Sequence, residues 1–161
     1  MKKIVVPSYG ILNLNNALFD INGTIQFDGK ISKEIKDKIK DLKREYNVYL
    51  ISADTRGNLK EIAKELDVKS IKIKPEGLDS ITEAEAKNNE LIKLGKENTA
   101  AIGNGNNDSL MLKNAALGIV IIGTEGASVK TILNADVALP DPISAIDFLL
   151  DEKKIIATLR K

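Results

Sequence analysis

The chain has 161 residues, with 24 Lys or Arg against 23 Asp or Glu and a net charge of +1. So even a balance leaves no electrostatic footprint for nucleic acid or an acidic membrane, and three Phe, three Tyr and no Trp offer little for base stacking. With no Cys and no His, thiol chemistry, imidazole bases and ordinary zinc sites are excluded. Any catalysis falls to carboxylates, hydroxyls, lysines and a hard metal ion. A hydrophobic share of 43% is enough for one core, and the length suits a single domain over 1–161. No apolar run is long enough for a signal peptide's core or a membrane span, so a cytoplasmic protein is expected.

Ile4 to Val6 and Ile11 to Leu14 flank Pro7-Ser8-Tyr9-Gly10, a turn sequence, and predict a small N-terminal hairpin. Apolar runs then recur at Ala17 to Ile21, Val48 to Ser52, Ser70 to Ile73, Thr99 to Ile102, Leu117 to Ile122 and Asp136 to Leu139. Between them Ile31, Ile35, Ile39 and Leu42 repeat at helical spacing, as do Leu59, Ile62, Ala63 and Leu66, and Ala84, Leu91, Ile92 and Leu94. The Lys30 to Arg44 stretch alternates with Glu34, Asp37 and Asp41, as a solvated helix face does. Asp141-Pro142 is a start signal for one last helix over Ile143 to Lys161. Short buried strands alternating with helices predict an α/β fold, a three-layer, doubly wound and mainly parallel sheet.

Ligands of such sheets sit beyond the carboxyl ends of the strands. Four places there carry polar chemistry. Asp20 ends an apolar run and is followed by Ile21, Asn22, Gly23 and Thr24. It can attack phosphorus or hold magnesium, or it can simply close a turn. Ser52, followed by Ala53 and Asp54, can donate to a phosphate oxygen or cap the next helix. Gly103 to Asp108, a run of glycines and amides ending in an acid, can build a metal or phosphate shell, or a tight turn capped by Asp108. Lys87 can neutralise a phosphate, or lie on a solvated helix face.

Taken together these segments resemble the haloacid dehalogenase (HAD) phosphohydrolase superfamily. Asp20-Ile-Asn-Gly-Thr matches its D-x-D-G-T motif at all but one position. Ser52-Ala-Asp resembles the T-G-D of the P-type ATPase branch, and GNGNNDSLML over Gly103 to Leu112 resembles GDGxNDxxML. Lys87 precedes Asn104 at a spacing like that of the ATPase P-x-x-K helix. The resemblance is strongest to the soluble proteins related to the ATPase phosphorylation domain. It implies a HAD-like Rossmannoid core and an aspartyl-phosphate on Asp20. It implies Mg2+ held by Asp20, the Asn22 carbonyl, Asn104 and Asp108. Gly23, Thr24, Ser52, Ala53 and Lys87 would bind the phosphoryl group of a phosphorylated substrate.

The pattern is broken at two aspartates. Asn22 stands where the family has the acid/base that protonates the leaving group and activates water, and an amide has no such proton to exchange. Asn104 stands where the family has a magnesium ligand, which removes one negative charge. Both precede glycine, a context prone to deamidation. The expectation is a slow Mg2+-dependent phosphatase that favours good leaving groups. The alternative is a catalytically impaired phosphate- or partner-binding module. A receiver-like signalling domain is disfavoured, because Ile4 to Pro7 carries no acidic residues. The stretches between Asp20, Ser52 and Lys87 leave no room for a cap domain. The site is therefore expected to be open, with a homo-oligomer as one way to cover it.

Overall fold

A computed structural model describes residues 1–74 and 81–161. Its centre is β3 (Asn16–Asp20), in which all five residues are buried. A strand covered on both faces must be apolar on both, and β3 sends alternate side chains to two separate cores. Parallel neighbours are β4 (Asn47–Ser52) on one side and β6 (Thr99–Gly103) on the other. Beyond them lie β5 (Lys69–Lys72), β7 (Leu117–Ile121) and β8 (Val137–Leu139). The sheet order is β5-β4-β3-β6-β7-β8, parallel throughout. This is the expected doubly wound α/β sheet, and strand limits agree with the apolar runs to within about one residue.

Helices α1 (Lys33–Leu42) and α2 (Leu59–Leu66) pack on the Phe19 face. So do α6 (Pro142–Leu150) and α7 (Glu152–Leu159). The Leu18 face takes α3 (Glu83–Leu94), α4 (Ser109–Asn114) and the short α5 (Val129–Asn134). Ser32 caps α1 by accepting the Ile35 N–H, and Thr82 with Glu85 forms a capping box on α3.

The hairpin of β1 (Lys2–Val6) and β2 (Gly10–Leu14) is present and stands apart from the main sheet. Ile4, Val6, Leu12 and Leu14 face the core, while Val5 and Ile11 face out. The last helix differs from expectation. It breaks at Asp151, whose backbone is extended and whose side chain caps α7. The reason lies in the hairpin: Lys2 Nζ donates to the Leu149 and Leu150 carbonyls at the end of α6, and α7 turns back to pack on β1. No additional domain is inserted between β3 and β6 among the described residues.

Candidate active site

The chain leaves β3 for β4 and β5 on one side, then returns to β6 on the other. The crevice at this switch opens beyond the carboxyl ends of β3, β4 and β6. Asp20 ends β3, Ser52 ends β4, and Asn104 follows β6 directly. Lys87 comes from α3, in the crossover that leads from β5 to β6. Residues far apart in sequence meet here because the winding reverses here.

The turn after Asp20 is tight. The amides of Thr24, Ile25 and Gln26 all point at the Ile21 carbonyl, and Gly23 N donates to the Gln26 carbonyl at 2.9 Å. Thr24 is fully buried; its hydroxyl lies 3.3 Å from Asp20 Oδ2 and 3.4 Å from Asn104 Oδ1, linking β3 to the loop after β6. Gly23 has φ +75°, and a Cβ there would meet both Asn104 Nδ2 and Glu125 Oε2 at 2.4 Å. The glycine serves the turn and also keeps the cavity wall free.

Lys87 is the largest departure from the behaviour of an ordinary helical lysine. It is 0% exposed, and its Nζ donates to Asp20 Oδ1 at 2.6 Å and to Asp108 Oδ1 at 2.7 Å. The solvated-face alternative is thereby excluded. Burial works against the ammonium, but Asp108 and Asp20 outweigh it and hold its pKa above the usual lysine value. Burial, reinforced by repulsion from Asp108, pushes the Asp20 carboxyl up to about 7 despite Lys87.

Both oxygens of Asp108 are engaged. Oδ1 meets Lys87, and Oδ2 accepts the Asn104 and Gly105 amides at 3.0 Å each. It makes no cap hydrogen bond to α4. Gly103 makes this fold-back possible, since a Cβ there would lie 2.5 Å from Asp108 Cγ. Ser52 does not cap α2, whose N-cap is Asn58. Its Oγ accepts the Asp54 N–H at 2.9 Å, which leaves its own proton free for a ligand. Asp54 turns away to accept the Leu59 N–H and pair with Lys72.

Asp20, Asn22, Ser52, Ala53 and Asn104 share one cleft of about 320 Å³. Lys87, Asp108 and Thr24 are fully buried and bonded to its lining residues, Lys87 and Thr24 to Asp20 and Asp108 to the Asn104 and Gly105 amides. Two acidic residues not singled out from sequence also line it, Glu83 and Glu125. Glu83 accepts from Asn107 Nδ2 at 2.7 Å and lies 3.7 Å from Lys87. Glu125 lies four residues beyond the end of β7, on a turn, so the strand-end rule does not single it out. Among the described residues no trio of His, Cys, Asp or Glu is gathered for a metal. A cation here would also draw on amide and carbonyl oxygens. The Asn22 carbonyl takes no hydrogen bond from the described residues and the Asn104 amide lies beside Asp20, so hard oxygen donors of the kind Mg2+ prefers are present.

No family model matches the sequence. Two uncharacterized proteins of Methanocaldococcus jannaschii do. MJ0073 is 54% identical over 74 residues, which are 44% of this chain and 80% of that protein. MJ0072 is 47% identical over 38 residues, 24% of this chain and 86% of that protein. The chain belongs to one family with these two proteins.

Solved structures fix the fold at low identity. The cobalt-bound deoxy-D-mannose-octulosonate 8-phosphate phosphatase of Haemophilus influenzae superposes with a TM-score of 0.69 at 16% identity, over 92% of this chain and 94% of that one. The Moraxella catarrhalis phosphatase of similar name, in complex with magnesium, phosphate and KDO, gives 0.70 at 17% identity with the same coverage. A putative HAD family hydrolase of Streptomyces avermitilis gives 0.63 at 17%, over 84% of each chain. The HAD-like α/β fold expected from the motifs is the fold of this chain.

Proposed function

We propose that this chain is a Mg2+-dependent phosphohydrolase that works through an aspartyl-phosphate on Asp20. The observation that carries the reading is the buried Lys87 bridge to Asp20 and Asp108, at the switch point of a fold whose solved neighbours include phosphatases. A carboxylate beside a desolvated ammonium suits phosphoryl transfer, which needs positioning and charge neutralisation above all.

In the first step an Asp20 carboxylate oxygen bonds to phosphorus as the bond to the leaving oxygen breaks. Lys87 offsets the charge on the phosphoryl oxygens, and the free Ser52 proton and the Ala53 amide orient them. Mg2+, when bound through Asp20, the Asn22 carbonyl and Asn104, supplies further charge neutralisation. Asp108 acts by holding Lys87 and the Asn104 loop. Asn22 gives no proton to the leaving oxygen, which must take one from water. In the second step water attacks phosphorus, releasing phosphate and restoring the Asp20 carboxylate. Without a carboxylate at position 22 this water is poorly activated, so turnover is slow.

The test is turnover of an aryl phosphate by purified protein with Mg2+, compared with Asp20→Asn. Asp20-dependent phosphate release supports the enzyme. Phosphate binding with no turnover in either protein would favour a phosphate-binding module, the reading that Asn22 and Asn104 also support.

A further inference from the structure

We propose that Glu125 is the second carboxylate of the cation site, taking over the charge that Asn104 lacks. The inference rests on the phosphohydrolase reading above. Glu125 sits on a turn after β7, closed by the Gly126 amide donating to the Gly123 carbonyl at 2.9 Å. Two hydrogen bonds tie the segment just after this turn to the Asn104 loop. Ser128 N donates to the Asn104 carbonyl at 3.1 Å, and Thr131 Oγ1 donates to the Gly105 carbonyl at 2.7 Å. The backbone that carries Glu125 is therefore held in register with Asn104.

Its side chain crosses to Gly23. Glu125 Oε2 and Asn104 Nδ2 both lie 2.4 Å from the place a Gly23 Cβ would occupy. Any side chain at position 23 would displace them. The missing Cβ lets a loop from β7 bring a carboxylate against the turn that carries Asn22 and against the Asn104 carboxamide. On the far side of that carboxamide, Thr24 connects it to Asp20. Asp20 and Glu125 thus flank Asn104, on the wall of one cleft.

The charges agree with this geometry. Lys87 is taken by Asp20, Asp108 and Glu83, and no cation among the described residues pairs with Glu125. With amides at 22 and 104, the carboxylates otherwise at the cleft are Asp20, Glu83, whose Oε1 is engaged by Asn107 and faces Lys87, and Asp108, which is held by Lys87 and two amides. A divalent ion held by hard oxygens gains affinity with each anionic ligand. A carboxylate reaching in from the neighbouring loop restores the count.

The experiment measures Mn2+ binding to the full chain by electron paramagnetic resonance, independently of turnover. Glu125→Gln is expected to weaken Mn2+ by about tenfold or more, with an unchanged apo melting temperature. Adding Asn104→Asp to Glu125→Gln is expected to recover the affinity. Equal Mn2+ affinity in parent and Glu125→Gln overturns this inference while leaving the phosphohydrolase reading intact. No Mn2+ binding by the parent overturns both.

Discussion

The Lys87 ammonium lies 2.6 Å from the Asp20 carboxylate, with no solvent access to the lysine. Asp108 closes the pair from the other side at 2.7 Å. Removing the lysine would leave two buried carboxylates facing each other without compensation. Lys87→Met should therefore destabilise the fold by about 3–5 kcal/mol and abolish Asp20-dependent turnover. The double variant Lys87→Met/Asp108→Asn should regain part of the stability and none of the activity. Urea unfolding of the three proteins checks the first point and an aryl phosphate assay the second. Full activity in Lys87→Met would remove the lysine from the reaction.

In the proposed mechanism Asn22 bears on a different quantity, the dependence on leaving group. It lines the cleft beside Asp20, and its amide cannot donate a proton to a departing alkoxide. Asn22→Asp should raise turnover of alkyl phosphates by about a hundredfold and change aryl phosphate turnover far less, because an aryl oxide leaves without help. Steady-state rates on one substrate of each kind decide it. Equal alkyl rates in parent and variant would sink the idea.

Much of this was readable in the sequence, because a parallel sheet buried on both faces writes its strands as apolar runs. Asp20, Ser52 and Asn104 could be placed because each follows such a run directly. Lys87 could not be placed from its own surroundings. A lysine on a helix is ordinarily solvated, and only the motif spacing set it apart; its burial depends on how α3 crosses to β6. Glu125 left no mark, since its role comes from a turn that meets Gly23 across the cleft. The six residues of α5 are too few to show a period. The break at Asp151 depends on Lys2, from the other end of the chain.

The raised Asp20 pKa gives a pH dependence of stability with a definite sign. Burial and Asp108 lift the carboxyl from 3.8 to about 7 in the metal-free protein. Within that window the folded chain keeps a proton that the unfolded chain has released. Stability from this group is fully present below the unfolded value and is lost as pH rises through the folded one. Asp20→Asn cannot titrate, and other carboxylates cancel in the comparison. The stability of the parent minus that of Asp20→Asn should fall as pH rises from about 4 to about 7, measured by urea unfolding with chelator present. A flat difference would mean that Asp20 is ionised throughout.

Asn22 and Asn104 each precede glycine, so conversion to aspartate by deamidation would complete the D-x-D-G-T and GDGxNDxxML patterns that these segments resemble, without any change of gene. The structure opposes it. The reaction requires the glycine amide nitrogen to attack the preceding side-chain carbonyl. Gly23 N is committed to the Gln26 carbonyl at 2.9 Å, and Gly105 N to Asp108 Oδ2 at 3.0 Å. Each must break that bond and rotate before a ring can close, and at Asn104 the movement would also disturb the carboxylate that holds Lys87. Folded protein should therefore keep both asparagines intact over a long incubation, whereas protein held in denaturant should lose them. Peptide mass mapping of the two samples reads this directly. If phosphatase activity instead grows in step with an aspartate fraction at Asn22 or Asn104, the slow turnover assigned to the parent belongs to a deamidated minority.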